Sequence, residues 1–195
     1  YVATDSKKIF NLCENNSVNS IMTKRNIKSG TDRVFSAYKV LDKKFDLIVN
    51  LQGDLPIFKK ELIEKTANLF LDDKTDIASA VCNLERSEIK DQNIVKANVF
   101  LDKQNEGFAK DFVRVIKSKK NFYHHIGLYI YTPISLKKYV NLRQTSNEIN
   151  RSLEQMRAID NKMKIKVVKL KNNPPSVDTM EDLKKIRLLF KNNNS

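Results

Sequence analysis

An α/β fold, built on a mixed, mostly parallel sheet with helices on both faces and an antiparallel hairpin insertion, follows from three observations. The first eighty residues alternate short apolar runs with helical periodicities in the order β-α-β-α-β-α-β, the pattern of parallel strands joined by covering helices. Apolar runs at 94–101 and 108–115 then flank Asp102-Lys-Gln-Asn-Glu-Gly107, a hairpin signal in which Gly107 is expected to supply a positive φ. No linker or internal repeat interrupts the chain, so 1–190 reads as one domain and 191–195 as a polar, frayed tail.

Taken in order, Tyr1-Val-Ala3 reads as the end of a strand, so further chain is expected upstream. Ser6 caps a helix over 7–14 whose apolar face is Ile9, Phe10 and Cys13. A strand at 18–22 completes a β-α-β unit. Ser29 or Thr31 caps a helix carrying Val34, Ala37, Tyr38 and Leu41 at i, i+3, i+4 and i+7. The run 47–51 is a buried strand bounded by Gly53 and Pro56. A helix over 59–71 turns Leu62, Ile63, Thr66, Leu69 and Phe70 inward, and 77–82 is another strand. Beyond the hairpin come a strand at 126–131, a short helix at 135–142, and a helix capped by Asn147 that runs to 161 with Ile149, Leu153, Met156 and Ile159 buried. A strand at 165–170 follows. Thr179-Met-Glu-Asp182 resembles a capping box for a last helix with Leu183, Ile186, Leu189 and Phe190 on its apolar face.

Composition excludes several classes. The 195 residues suffice for a sizeable core. No apolar run approaches the ~20 residues a transmembrane helix needs, so no membrane span is expected. Cys13 and Cys82 have no metal spacing and read as reduced thiols of a cytoplasmic protein. Four glycines cannot build a G-x-G-x-x-G or P-loop phosphate cradle. The net charge of +13 is spread along the chain among many Asn and Ile, which argues for compositional drift rather than a nucleic-acid patch.

Four stretches could carry chemistry. Asp54 lies just past the carboxyl end of the 47–51 strand, where α/β sheets bind ligands. A carboxylate there suits Mg²⁺, which takes few protein oxygens and keeps the rest for water and phosphate. It equally suits a helix cap. Asp178 follows the loop Pro174-Pro-Ser-Val177, and sheet topology could bring it to Asp54. The adjacent histidines His124 and His125 point to opposite faces if they share a strand, so only one can enter a given pocket. Glu154 and Gln155 sit off the apolar stripe of their helix and matter only if a pocket opens beside it. The stretch Lys28-Ser-Gly-Thr-Asp-Arg33 offers N–H groups, hydroxyls and a guanidinium at a helix start.

Val2-Ala-Thr-Asp5, Ser29-Gly-Thr-Asp-Arg33, Val49-Asn-Leu-Gln-Gly-Asp54 with Pro56, His125-Ile-Gly-Leu-Tyr129, Leu153-Glu-Gln-Met-Arg157 and Val177-Asp-Thr-Met-Glu-Asp-Leu183 occur in that order. Together they resemble the 3-deoxy-manno-octulosonate (Kdo) cytidylyltransferases. The resemblance implies the nucleotide-diphospho-sugar transferase-like, Rossmann-like fold and transfer of CMP from CTP to Kdo for lipopolysaccharide biosynthesis. It implies Mg²⁺ on Asp54 and Asp178 and cytidine near Ser29, Gly30, Thr31 and Arg33. The sugar acid would meet Gln52, His125, Tyr129, Glu154 and Gln155, and the protein would form a homodimer through the hairpin region. The family's leading strand, triphosphate loop and first helix would precede Tyr1. Its Gly-Asp-Glu-Pro reads Gly53-Asp-Leu-Pro56 here, and its Phe-Ser-Arg reads Phe108-Ala-Lys110, which loses the two-pronged anion grip of Arg. These departures leave two alternatives: another sugar acid, such as 8-amino-Kdo or a sialic acid, or an inactive truncated paralogue.

Overall fold

A computed structural model describes residues 1–72 and 74–193. Strands β1 (Val2–Thr4) and β2 (Ser20–Met22) pair in parallel around helix α1 (Lys7–Asn15) and form a sheet of their own. Ser6 caps α1 as its position demands, accepting from the Ile9 N–H at 3.4 Å. Of the expected apolar face, Cys13 is buried and Ile9 exposed.

The main sheet contains β3 (Ile48–Leu51), β4 (Ile77–Cys82), β5 (Lys96–Val99), β6 (Glu106–Val113), β7 (Phe122–Tyr131) and β8 (Ile165–Lys169), in the order β3-β7-β4-β8-β6-β5. β7 pairs with β5 through its first residues and with β3 through its last, so β4, β8, β6, β5 and β7 close into a ring. The expected mostly parallel sheet is therefore corrected. β3 and β4 do run the same way, but β7 inserts antiparallel between them, and among the described residues β4–β8 is the one parallel pair of this sheet. Local pattern reveals a strand but not which partner slips in beside it.

Helices do cover both faces. β4 alternates its side chains accordingly. Ile77 and Val81 face a core shared with α4 (Pro133–Val140) and α6 (Gln155–Asp160) through Leu136, Tyr139, Met156 and Ala158. Ala78, Ala80 and Cys82 face Leu62 of α3 (Lys60–Ala67) and Leu69 of the 3₁₀ turn Asn68–Leu71. Burial of this kind gives about 1.5–3 kcal/mol per large aliphatic side chain. It also drives the Cys82 thiol up to about 12.

Three local expectations change. At the β5–β6 turn the left-handed residue is Asn105 (φ 62°), whose type tolerates it. Gly107 is required for another reason: a Cβ there would collide with the Phe100 carbonyl oxygen and reach Val99 Cγ1 at 2.9 Å. The single helix expected over 147–161 is two, α5 (Ser146–Arg151) and α6. Thr145, not Asn147, caps α5 in a capping box with Glu148, and Ser152 at φ 52° breaks the run. Ile149 is consequently exposed. The last helix, α7 (Met180–Asn193), opens on the expected Thr179/Asp182 box and buries Ile186, but Leu189 and Phe190 remain exposed. Helix α7 extends through part of the expected tail; residues 194–195 lie outside the described residues.

One buried ion pair holds α5 to α6. Arg157 Nε and Nη2 donate to the two carboxylate oxygens of Glu148 at 2.9 and 2.6 Å, with both side chains almost wholly buried. The guanidinium also stacks on Tyr139 at 4.8 Å and approaches Asp32 at 3.6 Å. Burial alone would raise the Glu148 carboxyl, but the Arg157 and Gln144 hydrogen bonds outweigh it and hold the group below its usual value. A depressed acid stabilises above its unfolded pKa and loses that contribution as pH falls through the lower folded value. Arg157→Met should leave Glu148 buried and unpaired, at a cost of about 3–5 kcal/mol in urea unfolding at pH 7. The deficit relative to wild type should narrow below about pH 4, near the ordinary Glu value. An unchanged midpoint at pH 7 would refute the pair's role.

Candidate active site

A cleft of about 1000 Å³ opens at the carboxyl end of β3 and collects most of the candidate residues. Asp54 follows β3 in a turn closed by the Leu55 N–H on the Gln52 carbonyl at 3.2 Å. The loop leading to α7 is tied to it directly: the Val177 N–H donates to the Asp54 carbonyl at 2.9 Å. That bond brings Asp178, the next residue, beside Asp54 across the whole length of the fold. Burial, and then the Asp178 charge, raise the Asp54 carboxyl above its usual pKa. Asp54 Oδ1 is buried without a hydrogen-bond partner, whereas Asp178 Oδ2 accepts from Ser176 Oγ at 3.1 Å.

A buried, unpartnered carboxylate oxygen next to a second carboxylate fits a divalent cation. Among the described residues no group of three or more ligating side chains gathers. A pair is nonetheless what Mg²⁺ uses when it keeps its remaining positions for water and phosphate oxygens. Local charge points the same way. The chain is basic overall, yet among the described residues eight Asp and Glu residues border the cleft, of which Glu148 is paired with Arg157, against two cations, Lys28 and Arg114. Such a lining repels a polyphosphate unless a cation stands between them.

The remaining candidates divide. Ser29 caps α2 (Gly30–Val40), accepting from the Asp32 N–H at 3.2 Å, and lines the cleft with Gly30. Thr31 is wholly buried, within hydrogen-bond reach of Glu154, Asn50 and Tyr131. Arg33 binds Asp5 at 3.0 Å and Thr23, and borders a second, more apolar groove beside β1 and β3. Thr31 and Arg33 thus hold the start of α2 rather than line the cleft. Gln52, His125, Tyr129, Glu154 and Gln155 all line it. Gly127 makes room for Gln52, because a Cβ would stand 3.0 Å from its Oε1.

Glu154 and Gln155 reach the cleft because the helix break at Ser152 turns them inward, where a continuous helix would have left them in solvent. Glu154 accepts from the Thr31 N–H at 3.3 Å and from Thr31 Oγ1 at 3.1 Å, so it caps α2 from across the chain. Burial raises its carboxyl despite those bonds. Tyr129, buried against Glu154, is likewise pushed well above the usual phenol range, first by burial.

Both histidines line the cleft, contrary to the expectation that only one could. His125 is buried and reaches the interior, while His124 meets it through Glu88 (2.9 Å) and Asn173 (3.3 Å) at the side. Both pair regularly with β4, His124 with Cys82 and His125 with Val81, ahead of a β7 bulge in which Gly127 and Leu128 have no partners in β4. Arg114, not singled out by the sequence, also lines the cleft, and braces it through the carbonyls of Gln92 and Ser152 at 2.7 and 3.2 Å. Leu55, where the family pattern has Glu, is buried at the cleft wall. Lys110, where it has Arg, lies over the Phe100 ring at 4.4 Å, outside the cleft lining.

Residues 1–165 match the cytidylyltransferase family model. The chain is 36% identical to the 3-deoxy-manno-octulosonate cytidylyltransferase of Rickettsia prowazekii, covering 95% of this chain and 75% of that one. It is 35% identical to the enzyme of the same name from Parabacteroides distasonis, covering 94% and 78%. Among solved structures, a CMP:2-keto-3-deoxy-manno-octonic acid synthetase complexed with CTP superposes with a TM-score of 0.84 at 27% identity, covering 98% of this chain and 80% of that one. An apo UDP-glucose pyrophosphorylase shares the fold at a TM-score of 0.64 and 13% identity.

The raised Asp54 pKa has a testable sign. Its ionised form is disfavoured in the unliganded fold, so the charge destabilises at pH 7. Asp54→Asn should leave the thermal midpoint of the metal-free protein unchanged or higher while lowering kcat by on the order of 10²-fold. Differential scanning fluorimetry beside a turnover assay checks both halves, and near wild-type turnover would sink the assignment.

Proposed function

This chain belongs to the family of 3-deoxy-manno-octulosonate cytidylyltransferases, and from that premise we propose that it transfers a cytidylyl group from CTP to Kdo. The anomeric hydroxyl oxygen of Kdo forms a bond to the α-phosphorus. The bond from that phosphorus to the bridging oxygen breaks, pyrophosphate leaves, and the hydroxyl proton is lost. The products are CMP-Kdo and pyrophosphate. The observation that carries this reading is the juxtaposition of Asp54 and Asp178 at the mouth of one cleft, in a chain whose relatives bear that name.

Asp54 and Asp178 would hold Mg²⁺. When bound, that ion supplies neutralisation of triphosphate charge and stabilisation of charge at the transferring phosphorus. The protein's share is positioning, which such transfers chiefly need. Ser29 and Gly30 border the cleft at the N-terminus of α2, where the cytidine is expected. Thr31 and Arg33 hold that helix end in place. Gln52, His125, Tyr129 and Gln155 border the region assigned to the sugar acid, and Glu154 fastens it to the nucleotide side through Thr31.

A homodimer, a cytoplasmic location and a role in lipopolysaccharide biosynthesis accompany this reading as proposals. For the dimer, the support is the exposed Phe100 and Phe108 around the β5–β6 hairpin. No helix among the described residues is long and apolar enough to cross a membrane.

The protein, given CTP, Kdo and Mg²⁺, should release one pyrophosphate per CMP-Kdo formed, followed by coupled phosphate release and by phosphorus NMR of the product. In competition, Kdo should be consumed ahead of 8-amino-Kdo and sialic acid. Preference for either competitor would overturn the Kdo assignment, and no turnover with any of the three would overturn the enzymatic reading.

A further inference from the structure

Ser79 is the polar interruption in a strand otherwise made of Ile, Ala, Val and Cys, and it is completely buried. Its Oγ lies 2.7 Å from the Leu128 carbonyl and 2.9 Å from His125 Nε2. A serine hydroxyl owns one proton, and a carbonyl can only accept. The Ser79 proton must therefore go to Leu128, a carbonyl that the β7 bulge turns out of register with β4. Ser79 Oγ is left as an acceptor, so His125 Nε2 must carry a proton and donate. The opposite tautomer would set two acceptors, the Leu128 carbonyl and a bare Nε2, against one proton. That leaves an unsatisfied buried polar atom, the arrangement native folds avoid.

We infer that Ser79 is a positioning residue: it locks His125 in the Nε2–H form, so that Nδ1 stands in the cleft as a hydrogen-bond acceptor for a hydroxyl of the bound sugar acid. This rests on the reading of the cleft as a sugar-acid site. Several observations agree. His125 lines the cleft, and among the described residues its Nδ1 has no hydrogen-bond partner. The ring is clamped edge-on by Phe112 at 5.1 Å and flanked by Tyr129 at 5.3 Å, so it cannot turn over without unpacking both. The Val95 carbonyl holds its backbone N–H at 2.9 Å. Burial, and secondarily the neighbouring His124, lower its pKa to about 3, so the ring stays neutral. A neutral acceptor greets an O–H and offers nothing to a carboxylate. The subsite therefore reads a hydroxyl of the sugar acid, and the acid group is bound elsewhere.

With only two histidines in the chain, nitrogen-15 labelling of histidine side chains resolves both rings, and His124→Gln assigns them. Wild-type His125 should show a pyrrole-like Nε2 and a pyridine-like Nδ1 that do not change between pH 6 and 8. A protonated Nδ1, or an imidazolium in that range, would overturn the inference whatever the enzyme does. Ser79→Ala should shift the His125 signals toward a tautomer mixture and raise KM for the sugar acid about tenfold, the size of one lost hydrogen bond, with KM for CTP unchanged. Unaltered signals with an unaltered sugar-acid KM would overturn it, and so would equal losses for both substrates, the mark of a merely structural residue. A wild-type protein that turns over no sugar acid overturns the functional reading instead, and leaves the tautomer to be decided by the spectrum.

Discussion

One hydrogen bond, from the Val177 N–H to the Asp54 carbonyl, sets up the charge problem on which the site turns. It joins the loop after β3 to the loop before α7 and so places two carboxylates side by side. The fold then declines to neutralise them. Asp54 keeps a buried oxygen without a partner, and the surrounding cleft is acidic although the chain as a whole is strongly basic. An unpartnered buried carboxylate is a standing cost. The proposed Mg²⁺, arriving with the nucleotide, would relieve that cost.

The rest of the molecule reads as support for that edge. β7 runs between β3 and β4, and at its bulge Gly127 leaves room for Gln52 while the Leu128 carbonyl accepts from Ser79. The break at Ser152 turns Glu154 and Gln155 inward, and Glu154 reaches the N-terminus of α2. Arg157 and Glu148 lock the two short helices on either side of the break. The α2 side of the cleft and the segment after Ser152 are therefore joined by hydrogen bonds rather than left as separate loops.

Much of this was legible in the sequence, for identifiable reasons. The strand at 77–82 matches its apolar run residue for residue, α2 follows its 3.6-residue periodicity and its Ser29 cap, and the helix expected over 59–71 keeps its inward face although it ends as α3 and a 3₁₀ turn. Six motifs in order sufficed to identify the family. What escaped was non-local. An antiparallel strand slipping between two parallel neighbours leaves no trace in either neighbour's pattern. Nor does periodicity show a left-handed Ser152, which split one expected helix and exposed Ile149. Gly107 was expected for its φ but is needed for clearance, because the approach of Phe100 is a tertiary fact. Ser79 gave a faint signal, a lone hydroxyl in an apolar strand, whose meaning lies entirely in its partners.

Manganese binding, read by electron paramagnetic resonance in the presence of a non-hydrolysable CTP analogue, tests the central claim most directly. The wild-type protein should hold Mn²⁺ in a ternary complex with the nucleotide, while Asp54→Asn and Asp178→Asn should each weaken that complex at least tenfold with the fold intact, about one charge-assisted ligand's worth. Equal Mn²⁺ affinity in all three proteins would contradict the account.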